Sequence, residues 1–149
     1  VLTEFGICLL CYYLHNGKTE FVKIGAAPTY IKKNDKVEVV KTASLPAGIL
    51  ENMEIELVNK QLSDGDMLIM VSDGVLEAYA ISDEDESKNK DTKVADKEKI
   101  FINFIQEIKS INPQTVADII LDEAYKKYNS KPLDDMTVVV AKFWKRLSE

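Results

Sequence analysis

The sequence predicts an α+β domain, on three observations. Its first half alternates apolar and polar residues with period 2 between tight turns. Its second half carries two apolar stripes at helical spacing, and one further β-branched run follows them. Strands first, helices next and a single strand last favour α+β over a doubly wound sheet, in which strands and helices would alternate. The 149 residues have room for one domain and not comfortably for two. At 46% hydrophobic and 30% charged residues, the chain is too apolar to stay disordered.

The elements follow in order. Residues 5–14, Phe5-Gly6-Ile7-Cys8-Leu9-Leu10-Cys11-Tyr12-Tyr13-Leu14, read as a buried strand. Asn16-Gly17 is a hairpin signal, and Thr19-Glu20-Phe21-Val22-Lys23-Ile24 returns with strict alternation. After Gly25 and Pro28, Thr29-Tyr30-Ile31-Lys32 and Val37-Glu38-Val39-Val40 flank the turn Lys33-Asn34-Asp35-Lys36. Residues 44–48 are a loop by their Pro and Gly, and Met53, Ile55 and Leu57 then alternate with Glu54, Glu56 and Val58. Ser63-Asp64-Gly65-Asp66 is a turn that fits a surface hairpin. Met67-Leu68-Ile69-Met70-Val71 is continuous enough to be a central strand buried on both faces. Residues 82–99 are nearly free of apolar side chains and mixed in charge, which predicts a solvated, mobile loop. Ile100, Phe101, Phe104, Ile105 and Ile108 form one helical core face. Asn112-Pro113 places a capping side chain before a Pro at the first helical position, and Val116, Ile119, Ile120 and Tyr125 continue the second stripe. Residues 137–143 close as a β-branched strand.

Composition narrows the function classes. A net charge of −6 argues against affinity built on nucleic-acid phosphates or on an anionic membrane surface. Cys8 and Cys11 have C-x-x-C spacing, but in a strand these positions point to opposite faces. Only His15 could join them as a soft ligand, so they read as buried hydrophobes rather than a zinc or redox pair. Without a disulfide framework a reducing, cytoplasmic setting is the expectation. The apolar run at 5–14 is too short to span a bilayer and has no basic region ahead of it, so no membrane contact is expected from this segment. A membrane anchor elsewhere in a longer parent protein stays compatible with this.

Two corners place carboxylates where core logic would not. Asp73, in Val71-Ser72-Asp73-Gly74, follows the most apolar strand, and Gly74 gives the backbone freedom to turn there. Asp134 and Asp135, in Leu133-Asp134-Asp135-Met136-Thr137, immediately precede the final strand. Taken singly, each is an ordinary turn residue. Together they can be neighbours if the two strands lie side by side, and clustered carboxylates then call for a hard cation such as Mg²⁺ or Mn²⁺. With no Gly-rich phosphate loop and no Ser-His-Asp or Cys-His system, a metal-activated water is the remaining route to catalysis.

These residues carry a resemblance. Residues 68–78, Leu-Ile-Met-Val-Ser-Asp-Gly-Val-Leu-Glu-Ala, followed by Asp134-Asp135-Met136-Thr137-Val138-Val139-Val140, resemble the PP2C-type metal-dependent serine/threonine phosphatases, in their bacterial sporulation and stress-response branch. Residues 21–37 and Leu45-Pro46-Ala47-Gly48-Ile49 resemble the phosphatase domain of the stage II sporulation protein E family. The likeness runs from about Lys18 to Phe143.

The resemblance implies a β-sandwich flanked by helices, in α-β-β-α layers. It implies two Mn²⁺ or Mg²⁺ ions whose activated water attacks a phosphoserine, and Asp73 and Asp134 as metal ligands acting through those ions in catalysis. Asp135 and Gly74 would stand behind the ligands, Gly74 as a backbone turn. The implied substrate is a phosphorylated anti-sigma-factor antagonist, in sporulation sigma-factor control. One motif departs from the pattern: no acid before Asp73 matches the family's upstream Asp-Gly, whose Asp bridges both metals. Residues 1–149 are therefore read as one partial domain, the C-terminal portion, truncated at its N-terminal side and inactive or nearly so by itself. An uncovered sheet face makes homodimerisation an expectation. The alternative is a non-catalytic interaction module on a degenerate phosphatase fold.

Overall fold

A computed structural model of the chain describes residues 7–12, 16–42, 55–80 and 90–144, with side chains left aside at 7–12 and 90–96. The readings placed on His15, on 44–48, on Met53 and on 82–89, and the burial of Cys8 and Cys11, lie outside what is described. Two antiparallel sheets face each other. The first has strand order β1(Ile7–Tyr12), β2(Lys18–Ile24), β5(Leu57–Gln61). The second runs β4(Lys36–Val40), β3(Thr29–Lys33), β6(Met67–Val71), β7(Val138–Lys142). Helices α1(Asp73–Glu77), α2(Lys90–Glu107) and α3(Pro113–Lys127), with a 3₁₀ turn at Ala78–Ala80, complete the described elements. The α+β sandwich is thus present, with helices packed on the outer face of the second sheet.

Strand alternation sorts the side chains into two cores. Phe21, Ile31, Val40, Leu62 and Leu68 fill the space between the sheets, with Val58, Met70 and Ala141 beside them. Tyr30, Ile69 and Val71 point the other way, toward Phe101 and Ile105 of α2 and Val116, Ile120 and Ala124 of α3. β6 contributes to both, which accounts for its continuous apolar run. Phe101 is fully buried and meets Tyr30 edge-on at 4.9 Å and Tyr79 at 5.1 Å, the geometry that aromatic quadrupoles favour.

Turn and cap chemistry behaves as the residues dictate. Asn34 supplies the positive φ of the β3–β4 turn. The Asn112 side chain accepts from the Thr115 amide at 3.1 Å and caps α3 ahead of Pro113. The C-terminus of α2 has no basic residue of its own. Instead Lys32, buried on β3, donates to the Ile105 and Gln106 carbonyls, each at 2.9 Å. Burial is the main influence lowering the Lys32 pKa, with Lys109 adding to it and Asp35 opposing it.

Several sequence expectations need correction. The expected charged loop 82–99 is helical from Lys90 onward. Lys93, Ala95, Lys97, Glu98 and Lys99 are good helix formers, and the buried anchor from Phe101 to Ile108 lets the helix extend backwards over them. Ile55, Leu57, Ile100, Ile119 and Tyr125 are all exposed rather than core. On α3 the buried row is Val116, Ile120, Ala124 and Tyr128, a strict four-residue spacing that excludes Ile119 and Tyr125. The turn at Asp64-Gly65-Asp66 does not close a hairpin: it carries the chain from the first sheet to the second. The Asp66 carboxylate accepts from the Ser63 amide at 2.8 Å, and the Asp66 carbonyl accepts from the Phe143 amide at 2.9 Å.

Two outcomes follow. Phe101→Ala is expected to cost about 3–5 kcal/mol, read as a lowered denaturant midpoint. Glu38 is bonded by Lys33 at 2.9 Å and by Lys60, from the opposite sheet, at 3.3 Å. The Lys33 hydrogen bond, helped by Lys60 and opposed by partial burial, holds its carboxyl below the ordinary glutamate value. That contribution is complete above the unfolded-state value of about 4.3 and fades as pH falls through the folded one. Glu38→Gln should therefore lose at most about 1 kcal/mol at pH 7, and the difference should shrink as pH falls below about 4.3 in paired denaturation curves.

Candidate functional site

The site begins where β6 ends. Val71 pairs with Val138 across the β6–β7 ladder, and the pairing runs one residue further, because the Ser72 amide donates to the Thr137 carbonyl at 3.0 Å. Ser72 is extended (φ −76°, ψ 165°), and Asp73 then opens α1 instead of ending the strand. Val75 and Leu76 are buried and press this short helix onto the core, leaving Asp73 and Glu77 exposed.

The two acidic segments are fastened together at Ser72. Its Oγ donates to the Asp135 carbonyl at 3.0 Å and accepts from the Thr137 amide at 3.0 Å. Gly74 approaches the same backbone so closely that a Cβ there would collide with the Asp135 carbonyl oxygen. Its φ is not positive, so Gly74 is needed for proximity and not as the turn expected from the sequence. From the helix side, the buried Tyr128 hydroxyl donates to the Gly74 carbonyl at 2.8 Å. Burial raises the pKa of that hydroxyl, and the negative charges of Glu77 and Asp134 push it the same way.

Sequence reasoning placed Asp73, Gly74, Asp134 and Asp135 at one site, and the backbone of the two segments does meet there. All three aspartates are exposed, and the Asp135 amide donates to Asp134 Oδ1 at 2.8 Å. Among the described residues none of the three is ion-paired with a Lys or Arg. Hard carboxylate oxygens are the donors that Mg²⁺ and Mn²⁺ take, so the donor chemistry fits a divalent cation. Among the described residues no three ligating side chains gather into a cage, so Asp73 and Asp134 would form part of a ligand set. Ser72 and Tyr128 were not singled out from the sequence. The Tyr128 signal was its place on the four-residue row of α3, which announces burial but not a hydrogen bond.

The family model of stage II sporulation protein E (SpoIIE) matches residues 4–144 of the chain. Stage II sporulation protein E of Priestia megaterium is 37% identical over 129 residues, which cover 87% of this chain and 20% of that protein. Its counterpart from Bacillus subtilis (strain 168) is 34% identical over 129 residues, covering 87% of this chain and 14% of that protein. The chain thus spans a fifth or less of the curated relatives it matches. Among solved structures, the phosphatase domain of the cell fate determinant SpoIIE from Bacillus subtilis, presoaked with Mn, superposes with a TM-score of 0.74 at 27% identity. That match covers 97% of this chain and 59% of that one.

The close approach at Gly74 can be tested against another glycine. Gly65 has φ +86° and open space around it, so Gly65→Ala carries only backbone strain, about 1 kcal/mol. Gly74→Ala must force the two acidic segments apart and is expected to cost clearly more, by comparison of thermal midpoints.

Proposed function

The chain belongs to the stage II sporulation protein E family and carries part of its PP2C-type phosphatase fold. From that premise we propose that it serves in hydrolysing phosphoserine on a phosphorylated protein, with Asp73 and Asp134 as its contribution to a divalent-metal centre. The observation that supports this most is the meeting of the two acidic segments at Ser72, Gly74 and Asp135. Mn²⁺ or Mg²⁺ held there would lower the pKa of a bound water and neutralise charge on the phosphoryl oxygens.

The chain's own residues hold the donors in place. The Asp135 amide donates to Asp134 Oδ1, which restrains that carboxylate and leaves its other oxygen to ligate. Asp73 sits on a helix braced by buried Val75 and Leu76, so its position is set by packing and not by a free loop. Asp135 is exposed beside Asp134 and suits a role in orienting water. The proposed substrate, a small anti-sigma-factor antagonist, rests on the family resemblance.

One observation favours a second reading, a module that binds a partner without turnover. Among the described residues no three metal-ligating side chains gather at one place. The same experiment separates the two readings. In the full protein carrying this chain, Asp73→Ala and Asp134→Ala are each expected to lower Mn²⁺-dependent hydrolysis of a phosphoserine peptide more than about a hundredfold, a larger effect than loss of an outer partner. Unchanged hydrolysis in both variants would remove the metal-centre reading, and absence of hydrolysis in the unmodified protein would favour the module.

A further inference from the structure

Asp73 opens α1 and Asp134 lies in the connection between α3 and β7, so the span between them depends on what joins those two places. Ser72 joins them from the strand side through Asp135 and Thr137. On the helix side the join is Tyr128. This residue ends α3 as its C-cap, is 5% exposed, and donates from its hydroxyl to the Gly74 carbonyl at 2.8 Å. It is also the point from which the chain departs for Asp134. Asn129 (φ 50°) and Ser130 (φ 61°) take the left-handed conformation that side chains seldom adopt. The turn is closed by bonds from the Asn129 amide to Lys126, Ser130 to Tyr125 and Lys131 to Tyr128 carbonyls, at 2.9, 3.1 and 3.0 Å. Pro132 and Leu133 follow, and then Asp134. A single side chain thus grips the backbone one residue after Asp73, while its own backbone starts the short run to Asp134.

We propose that Tyr128 is a positioning residue for the metal centre, setting the separation of Asp73 and Asp134 through its hydrogen bond to the Gly74 carbonyl. This rests on the metal-centre reading above. Partners that bond a ligating side chain directly commonly change metal affinity by about 10–100-fold. The Tyr128 hydroxyl acts one step further out, on the backbone carbonyl of the residue after Asp73, so the lower end of that range is expected.

The test is Mn²⁺ binding by the full protein carrying this chain, measured by electron paramagnetic resonance well below the unfolding temperature. Four forms are compared: unmodified, Asp73→Ala, Tyr128→Phe and Ile120→Val. Ile120 is fully buried on the same face of α3, so its truncation lowers stability without touching the acidic segments. Tyr128→Phe should weaken Mn²⁺ binding about tenfold while Ile120→Val leaves it unchanged. Equal affinity in Tyr128→Phe and the unmodified protein, with Asp73→Ala impaired, would overturn the role of Tyr128 alone. A matching loss in Ile120→Val would assign the effect to stability and overturn it as well. Undiminished binding in Asp73→Ala would overturn the metal-centre reading and this inference together.

Discussion

The double burial of β6 is the constraint on which the rest of the structure depends. Leu68 faces the space between the sheets, while Met67, Ile69 and Val71 face the helices, and β3 and β7 hold both of its edges. Each such side chain gives about 1.5–3 kcal/mol when removed from water. A slip of one residue would exchange the two faces, turning Ile69 toward the other sheet and Leu68 toward α2 and α3. The register Val71 opposite Val138 is therefore held by both cores at once. The position of Ser72 beside Thr137, and of Asp73 beyond it, is a consequence of that register.

The acidic segments combine a rigid frame with wet ends. Their backbone is locked by the Ser72 hydroxyl, by the contact that only a glycine permits at position 74, and by the Tyr128 hydroxyl. The carboxylates themselves face solvent. The cation centre proposed for these residues would use this division, its oxygens open to the ion while their spacing is set by the groups behind them. α3 serves both ends of the arrangement. Its buried row packs on the outer face of the second sheet, and its capping residue Tyr128 reaches Gly74. At the opposite end of β3, Lys32 anchors α2 by its terminal carbonyls, so strands and helices are joined by directed polar contacts as well as by apolar packing.

Much of this was legible from local chemistry. Period-2 alternation located β2, and the turn chemistry at 33–36 located β3 and β4 on either side of it. Asn112 before Pro113 located the start of α3, and the apolar run 67–71 announced a strand buried on both sides. The neighbourhood of Asp73 and the 134–135 corner was legible as a condition, that the strands they adjoin lie side by side, which β6 and β7 do. Less legible were features in which one residue has two uses. Lys90 to Lys99 is solvated in composition yet helical, because the buried stretch beyond it supplies the anchor that a charged segment lacks. Asp64-Gly65-Asp66 has hairpin chemistry yet bridges two sheets, because turn residues set a local bend and not the destination of the next strand.

Side-chain periodicity and turn chemistry are encoded within a few residues, so the sequence determined element type, both core strands and the acidic character of the site. Which apolar residues face inward depends on where helices land on a sheet, and this placed Tyr128 inside and Ile119 and Tyr125 outside. The reason for glycine at position 74 was likewise tertiary. A sequence reader sees freedom to turn, whereas the folded chain uses the missing Cβ to bring the Asp135 carbonyl against it. Contacts between residues far apart in the chain leave no local pattern, and the site's clamps, Ser72 to Asp135 and Tyr128 to Gly74, are contacts of that kind.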